Sequence, residues 1–350
     1  DIKDESNNSL KEIDSSVEER PTGEISVTAG FGTTGETIGA GIKENNFLGK
    51  GISLNTNFEV TSDSIKGQFI YAKPNFNYSD NTLFTSIKSS TSDFLTDSGY
   101  KTSEIGFSLG TKFEQFQNIF LSPEIDFLIE DLETTSDASN ILKKQEGSYT
   151  DLYFNYSINQ DLRDKKFRTE DGYVTTFSQE LPLVSDNSEI SNAFEITNYR
   201  KLSSTSDMVG KVSFFGKTIT GLSDDVRISK RLTVPSHKLR GFQRGKVGPV
   251  DNNDYVGGNH VSSLNLSATL PTLVQGLDNL DVGVFFDAAN VWGVDYDSSI
   301  DDKSTVRSSA GVALNLMTPI GPLSFSFANA LSKASSDKTE TFRFNLGTQF

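Results

Sequence analysis

The chain has 350 residues, with 47 Asp and Glu against 32 Lys and Arg, a formal charge of −15 and a mean hydropathy of −0.37. The absence of cysteine excludes a disulfide framework, a Cys-based zinc site and thiol catalysis. The negative charge argues against nucleic acid as a partner, and no apolar run approaches the roughly 18 residues of a membrane-spanning helix. An aromatic content of 11% is nevertheless high for so polar a chain.

The first twenty residues differ from the rest of the chain. They are highly charged and carry no apolar pattern long enough to form a core of their own. The chain begins with Asp1 and has no charged-then-apolar targeting segment. We therefore expect a mature protein or a piece of a longer one.

From Gly23 to the last residue, apolar and polar side chains alternate. Because successive side chains of a strand point to opposite faces, each alternating segment has one apolar face and one polar face. Turn-rich clusters separate the segments, and no convincing amphipathic helix interrupts them. We count about sixteen segments at roughly 20 residues per strand and connection, as expected for an antiparallel meander. Clear examples are residues 24–31, 51–60, 152–158, 264–270, 310–316 and 342–350.

A soluble β-sandwich and an outer-membrane barrel both fit alternating strands, but three features favour the barrel. The polar faces include Asp287, Arg307 and Arg343, which suit a water-filled lumen. The meander has too many strands for one sandwich. The last residue, Phe350, ends an aromatic strand, as is common in bacterial outer-membrane barrels. We predict an all-β fold, a transmembrane antiparallel β-barrel of about sixteen strands.

Three patterns resemble catalytic or binding motifs, but none has the required context. Residues 30–35 match GxGxxG, yet an alternating strand follows where dinucleotide binding needs a helix. His260 lies near Ser262 and Ser263, without a GxSxG nucleophile turn. The acidic cluster at residues 251–254 lacks the remaining ligands of a calcium loop. We therefore predict no catalytic residue, no metal site, no cofactor and no enzymatic activity.

One long connection, residues 238–259, does not resemble an ordinary solvated loop. It contains five glycines, which allow tight backbone turns, and the central sequence Leu239-Arg240-Gly241-Phe242. Such a loop is better interpreted as folded back and packed. If it enters the lumen, Arg240 needs an acidic partner, because an unpaired buried guanidinium is costly.

The sequence Leu239-Arg240-Gly241-Phe242 resembles the (V/L)RG(F/Y) motif of the bacterial outer-membrane protein assembly and two-partner-secretion superfamily. Further family-like motifs stand in the same order, at residues 17–23, 45–51, 161–172, 285–292 and 306–322. The chain departs from the family pattern at residues 234–236, at Arg168 and at Ala289. Together the motifs span the whole chain.

The resemblance implies a division of the chain and a function. Residues 1–22 would be the end of the last periplasmic POTRA domain and a linker. Residues 23–350 would be the barrel, with a lumen-folded loop at about 221–259. The implied function is assembly and insertion of outer-membrane β-barrel proteins. A two-partner-secretion or TamA-like translocation barrel is the alternative, followed by a passive porin or an outer-membrane hydrolase.

The resemblance also implies a site. Arg240 would pair with Asp287 on the lumen wall, and a seam between the first and last strands would open sideways to pair with a substrate strand. The seam residues would be Glu24, Ile25, Ser26, Val27, Thr28, Phe344, Leu346, Gly347 and Phe350. The expected partners are the lipid bilayer of the Gram-negative outer membrane, unfolded outer-membrane proteins, and accessory lipoproteins bound mainly through upstream POTRA domains.

Overall fold

The computed structural model describes residues 2–4, 11–13, 21–33, 35–166, 168–204, 207–270, 279–318 and 321–347. Within them, β1 (Ile2–Asp4) and β2 (Lys11–Ile13) form a separate two-stranded sheet. Most of residues 1–22, where we expect the end of a POTRA domain, lie outside the described residues.

Sixteen strands form one closed barrel. They are β3 (Gly23–Gly32), β4 (Gly35–Phe47), β5 (Ile52–Thr61), β6 (Ser64–Lys73), β7 (Thr82–Phe94), β8 (Tyr100–Phe116), β9 (Ile119–Thr134), β10 (Gly147–Asp161), β11 (Gly172–Ser185), β12 (Glu189–Lys201), β13 (Val209–Gly221), β16 (His260–Thr269), β17 (Leu280–Trp292), β18 (Arg307–Thr318), β19 (Gly321–Ser332) and β20 (Phe342–Leu346). Each pairs antiparallel with its neighbours in chain order, and β20 pairs with β3. The predicted antiparallel barrel is confirmed.

The alternation in the sequence determines which side chains face outward. In β9, Ile125, Phe127 and Ile129 are exposed on the outer surface. Asp126, between Ile125 and Phe127, and Glu130, which follows Ile129, are buried inside the barrel. An exterior of this kind matches the apolar band of a membrane barrel, because only alternate residues meet lipid. The whole-chain hydropathy therefore averages an apolar exterior with a more polar interior.

The connections carry little regular structure. Two single-turn helices, α1 (Leu95–Ser98) and α2 (Asn140–Lys143), lie between strands on the same end of the barrel. No helix in the described part of the chain has the length and apolar character needed to cross a membrane. The connection from β13 to β16, residues 222–259, contains a small hairpin of β14 (Val250–Asp251) and β15 (Asp254–Tyr255).

The lumen is less polar than the alternation predicts. An apolar cluster fills part of it, joining residues of the long connection to the inner faces of three strands. Its members are Val226, Leu232, Val234, Leu239, Phe242 and Val247 from the connection, with Ile219, Val261, Ala289 and Val291 from β13, β16 and β17. The water-filled lumen that the polar faces suggest is interrupted here, because the connection covers this part of the wall and excludes water from it.

Candidate functional site at the lumen loop and the barrel seam

The connection of residues 222–259, called the lumen loop below, enters the barrel from one end. Its motif residues Leu239 and Phe242 are buried in the apolar cluster. Two short 3-10 turns, at Ile228–Lys230 and Ser236–Lys238, shape the path of the chain into the lumen. The loop is therefore folded back and packed against the inner wall of the barrel.

Arg240 and Asp287 form a bidentate ion pair inside the barrel. The Nε and Nη2 of Arg240 each donate to a different carboxylate oxygen of Asp287, both at 2.8 Å. The backbone N–H of Arg240 donates to the same carboxylate at 3.1 Å, and the Asn265 side-chain amide donates at 2.8 Å. Asp287 is fully buried, so these four donors replace the water that its charge would otherwise bind. The structure brings together the two residues that the motif places in one site.

Gly241 follows Arg240 at a point where the loop touches the wall closely. Its φ is +87°, and a Cβ there would lie 3.0 Å from the Cβ of Ala328 and 3.3 Å from the Cβ of Ser309. The hydroxyl of Ser309 donates to the Arg240 carbonyl at 2.5 Å. Glycine is the residue that tolerates both the left-handed backbone and the close approach. The motif glycine therefore lets the loop backbone reach the wall.

A second arginine, Arg227, is buried deeper in the loop and was not singled out from the sequence. It contacts three carboxylates of the wall, with Glu130 at 3.2 Å, Asp151 at 2.5 Å and Glu189 at 3.3 Å. Its guanidinium also lies 4.3 Å from the ring centroid of Tyr149. Part of the signal for this cluster was available, because Glu130 and Asp151 occupy inward positions of alternating strands, whereas Glu189 begins its strand next to a turn-rich segment.

A third arginine ties the loop to the connection between β17 and β18. Arg231 pairs with Asp295 and donates to the Asn259 side chain at 3.0 Å. Burial alone would raise the pKa of Asp295. The charge of Arg231, with hydrogen bonds from the Val226 N–H and the Asn259 amide, instead holds that pKa below its ordinary value. The Asp295 carboxylate therefore stays ionised and fixes the start of the loop.

The seam between β20 and β3 is short. In the part of the chain that the structure describes, its register has two residue pairs, Asn345 opposite Gly32 and Leu346 opposite Phe31. The N–H of Thr33 extends it by one hydrogen bond of 3.1 Å to the Phe344 carbonyl. On its other side, β3 pairs with β4 through ten residue pairs, from Gly23 to Gly32.

Most of the β3 edge takes no part in the register with β20. Residues 24–28, the expected seam residues of the first strand, pair with β4 and with no other strand in the described part of the chain. Ile25 and Val27 are 82% and 77% exposed, more than any other outward-facing Ile or Val among the described residues. Among the described residues, β20 is in register with the opposite end of β3, at Phe31 and Gly32, and the expected pairing of residues 24–28 with the last strand stays a prediction. Phe350 lies outside the described residues.

Gly347, one of the expected seam residues, lies directly after the described strand β20. The described strand ends at Leu346, and Gly347 follows it with φ +95°. A Cβ at Gly347 would lie 2.1 Å from the carbonyl oxygen of Ala29 in β3. The glycine therefore allows the end of β20 to approach the backbone of the first strand.

The residues considered for dinucleotide binding, hydrolysis and metal binding lie in contacts that belong to the fold of the barrel. Gly30 and Gly32 belong to β3, and Gly35 begins β4, so the glycine-rich segment is a hairpin. His260 packs on Trp292 with ring centroids 5.4 Å apart. Among the described residues, no cluster of His, Cys, Asp and Glu has the arrangement of a metal site.

A family model for the Omp85 superfamily domain matches residues 46–350. The chain belongs to the Omp85 superfamily. This Omp85 barrel is 24% identical over 393 residues to outer membrane protein assembly factor BamA of Neisseria meningitidis serogroup B, which covers 97% of this chain and 48% of that protein. It is 23% identical over 352 residues to BamA of Neorickettsia risticii, covering 95% and 46%. The chain thus spans about half the length of the curated relatives it matches.

Solved structures show the same Omp85 architecture. BamA from Haemophilus ducreyi lacking POTRA domains 1–3 superposes with a TM-score of 0.83 at 25% identity, covering 95% of this chain and 71% of that one. CdiB from Escherichia coli superposes with a TM-score of 0.58 at 11% identity, covering 95% and 64%, and shares the fold alone. The chain is a BamA-like Omp85 barrel.

Proposed function

We propose that this barrel assembles other β-barrel proteins into the outer membrane, without enzymatic chemistry, by opening sideways between β3 and β20. The observation that carries the proposal is the contrast at β3, which among the described residues has two register pairs on its seam side and ten on its other side. The kinship with proteins named outer membrane protein assembly factor supports the same function.

The energetics of the seam favour opening at this place. A backbone hydrogen bond contributes about 0.5–1.5 kcal/mol net in water, and more where lipid cannot replace it. A seam of two pairs therefore costs a few kcal/mol to separate. An open state at this free energy is a populated minor conformation. A ladder of ten pairs, such as β3 with β4, is too strong to separate in the same way.

The exposed edge of β3 offers backbone hydrogen-bonding groups that can recognise a substrate strand. The N–H and C=O groups on this edge at residues 24–28, which have no strand partner on the seam side among the described residues, can pair with an incoming extended strand, whatever the sequence of that strand. Side chains on the outer face remain in lipid during the exchange, which suits a substrate that is itself an alternating membrane strand. The proposed substrates are therefore unfolded outer-membrane β-barrel proteins.

The remaining assignments follow from this function. The proposed location is the Gram-negative outer membrane, crossed many times by the strands. Accessory assembly lipoproteins would bind mainly through POTRA domains upstream of the barrel, and residues 1–22 would be the end of the last of these. Neither a cofactor nor nucleic acid takes part.

A disulfide across the seam tests the proposal. Residues directly opposite in an antiparallel pair have Cα atoms about 4.5–5.5 Å apart, within the range a disulfide spans. We therefore place cysteines at Phe31 and Leu346, which are opposite each other and belong to a chain without cysteine. In the complete natural protein, reconstituted in lipid vesicles, oxidation is expected to stop insertion of a reporter barrel, and reductant is expected to restore it.

A matched pair that leaves the seam free controls for oxidation. Cysteines at Phe58 and Gly67, opposite each other in β5 and β6, join two strands that stay paired in the proposed mechanism. This variant is expected to insert the reporter at the normal rate under oxidation. Undiminished insertion by the oxidised Phe31 and Leu346 variant would overturn the proposal. Secretion of a soluble reporter in place of barrel insertion would favour the translocation alternative.

The lumen distinguishes this proposal from a passive porin. A porin needs an open, charge-lined channel, whereas here the lumen loop packs against the wall through an apolar cluster and three arginine anchors. Single-channel conductance of the reconstituted protein is therefore expected to be low and to rise in Arg240→Ala.

A further inference from the structure

The segment that leads into β20 is bound by the lumen loop. The Glu340 N–H donates to the Gly241 carbonyl at 3.0 Å, and the Gln243 N–H donates to the Lys338 carbonyl at 3.0 Å. Phe242 and Thr339 form an isolated antiparallel bridge between these two bonds. The RGF motif therefore forms a short piece of sheet with the chain just before the last strand.

Arg343 extends this attachment into β20 itself. Its side chain points into the lumen and is 6% exposed. Nη1 donates to the Ser236 carbonyl at 2.6 Å, and Nη2 donates to the Phe242 carbonyl at 2.7 Å. Nε donates to Glu340 at 2.6 Å. The guanidinium thus binds loop carbonyls on both sides of Arg240.

The strand β20 is held in place by β19, by a short register with β3 and by the lumen loop. Its five residues pair with β19, but only two of them are in register with β3. On the lumen side, Arg343 and the residues before it bind the loop. The position of the last strand therefore depends on where the loop lies as well as on the neighbouring strands.

We infer that Arg343 is a positioning residue that couples the lumen loop to the seam. This inference rests on the proposed function, in which the seam is the place that opens. When the loop leaves its anchor on Asp287, the Ser236 and Phe242 carbonyls move away from Arg343. Arg343 then keeps Glu340 as an acceptor but loses two others, and because a buried guanidinium with unsatisfied donors is costly, we expect β20 to shift until Arg343 reaches water or new acceptors. Displacement of the loop thereby loosens the seam from the inside.

The test uses seam crosslinking in the absence of any substrate. The complete natural protein carries the cysteine pair at Phe31 and Leu346 in phosphatidylcholine vesicles, and the rate of disulfide formation under mild oxidation is measured. Arg343→Gln is expected to lower that rate, by at most about tenfold, the change in the closing equilibrium that losing one charge-assisted hydrogen bond produces. Lys88→Gln is the matched control, since Lys88 is a lumen-facing cation bound to Asp126 and not to the loop, and it is expected to leave the rate unchanged.

The same measurement in a released-loop background separates coupling from simple destabilisation. With Arg240→Ala, the loop is displaced and Arg343 has lost its carbonyl partners, so adding Arg343→Gln is expected to have no further effect. An equal loss in both backgrounds would overturn the coupling. So would an unchanged rate for Arg343→Gln alone.

A second measurement keeps the inference testable if Arg343→Gln fails to fold. Arg343→Lys keeps the charge but can satisfy fewer carbonyls, and hydrogen exchange at residues 23–32 and 342–346 then reports the seam. Faster exchange there supports the coupling, and exchange equal to the unmodified protein overturns it. Different results would refute the coupling and the proposed function. A crosslinked seam that still inserts reporter barrels would refute the function, but it would not change the crosslinking and hydrogen-exchange rates that test the coupling.

Discussion

The guanidinium of Arg240 lies on the ring of Phe285, with its central carbon 3.4 Å from the ring centroid, while its nitrogens bind Asp287. Phe285 and Asp287 are two residues apart on β17, so both side chains point into the lumen. One strand thus offers a π-face and a carboxylate to the same cation. This arrangement fits a planar guanidinium and not an ammonium group.

The first prediction concerns this anchor. Arg240→Ala leaves the fully buried Asp287 without its cation, a change that costs about 3–5 kcal/mol in comparable pairs. We expect the loop to leave the lumen and assembly activity to fall strongly, with faster hydrogen exchange in residues 236–248. Arg240→Lys is expected to rescue only part of both, because it keeps the charge without the bidentate geometry.

Arg244→Ala is the control for that prediction. Arg244 lies in the same loop but is 43% exposed, and its pair with Asp63 at 3.1 Å is of the kind worth about 0–1 kcal/mol. We expect near-normal exchange and activity. Full complementation of a depletion strain by Arg240→Ala would contradict the proposed role of the anchor.

Gly241→Ala is predicted to displace the loop while the ion-pairing residues remain intact. The new Cβ would require an unfavourable left-handed backbone and would press on Ala328 and Ser309. We expect a loss of about 1–3 kcal/mol in folding free energy, measured as a lower unfolding midpoint in denaturant. Gly245→Ala has a similar backbone, φ +68°, with nothing near its Cβ. It separates the effect of close approach from that of backbone strain, and equal losses in the two variants would refute a packing role for Gly241.

Gly347→Ala is predicted to weaken closure of the barrel. Its Cβ would lie 2.1 Å from the Ala29 carbonyl oxygen, so β20 and β3 must separate at that point. We expect slower disulfide formation between cysteines at Phe31 and Leu346. Gly49→Ala, in the turn between β4 and β5, shares a positive φ of +68° and has open space around its Cβ. It is expected to leave the crosslinking rate unchanged.

The pair of Arg231 and Asp295 predicts a pH dependence of loop anchoring. Because the pKa of Asp295 is lowered in the folded protein, its contribution is fully present above the ordinary Asp pKa and is lost as pH falls through the lowered value. At neutral pH, Asp295→Asn is expected to speed hydrogen exchange at the start of the loop. The difference between the two proteins should shrink as pH falls below about 4. A difference that stays constant down to the lowest pH measured would refute the assignment.

Sequence reasoning identified the barrel and the anchor for different reasons. Alternation alone determines which side chains of a strand share a face, and this was enough to place Asp287 inside. The choice of Arg240 and Asp287 as partners came from resemblance to a family motif. The alternation of apolar and polar residues does not specify which residue of a loop contacts which residue of the barrel wall.

Strand register and long-range clusters were beyond the sequence for the same reason. The face of β3 is evident from its pattern, but whether Ser26 or Phe31 stands opposite Leu346 depends on how far β20 slides along β3. The carboxylates that surround Arg227 come from three different strands, and closure of the whole barrel brings them together. Such contacts are properties of the closed ring and not of any segment.

The apolar patch on the inner wall constrains the order in which this barrel can form. Ile219, Val261 and Val291 would face water if the ring closed first and stayed empty. A long segment would then have to thread into a finished ring and displace that water. Folding the strands around a loop already in place avoids both difficulties. The lumen loop would thus serve as an internal support around which the strands pair.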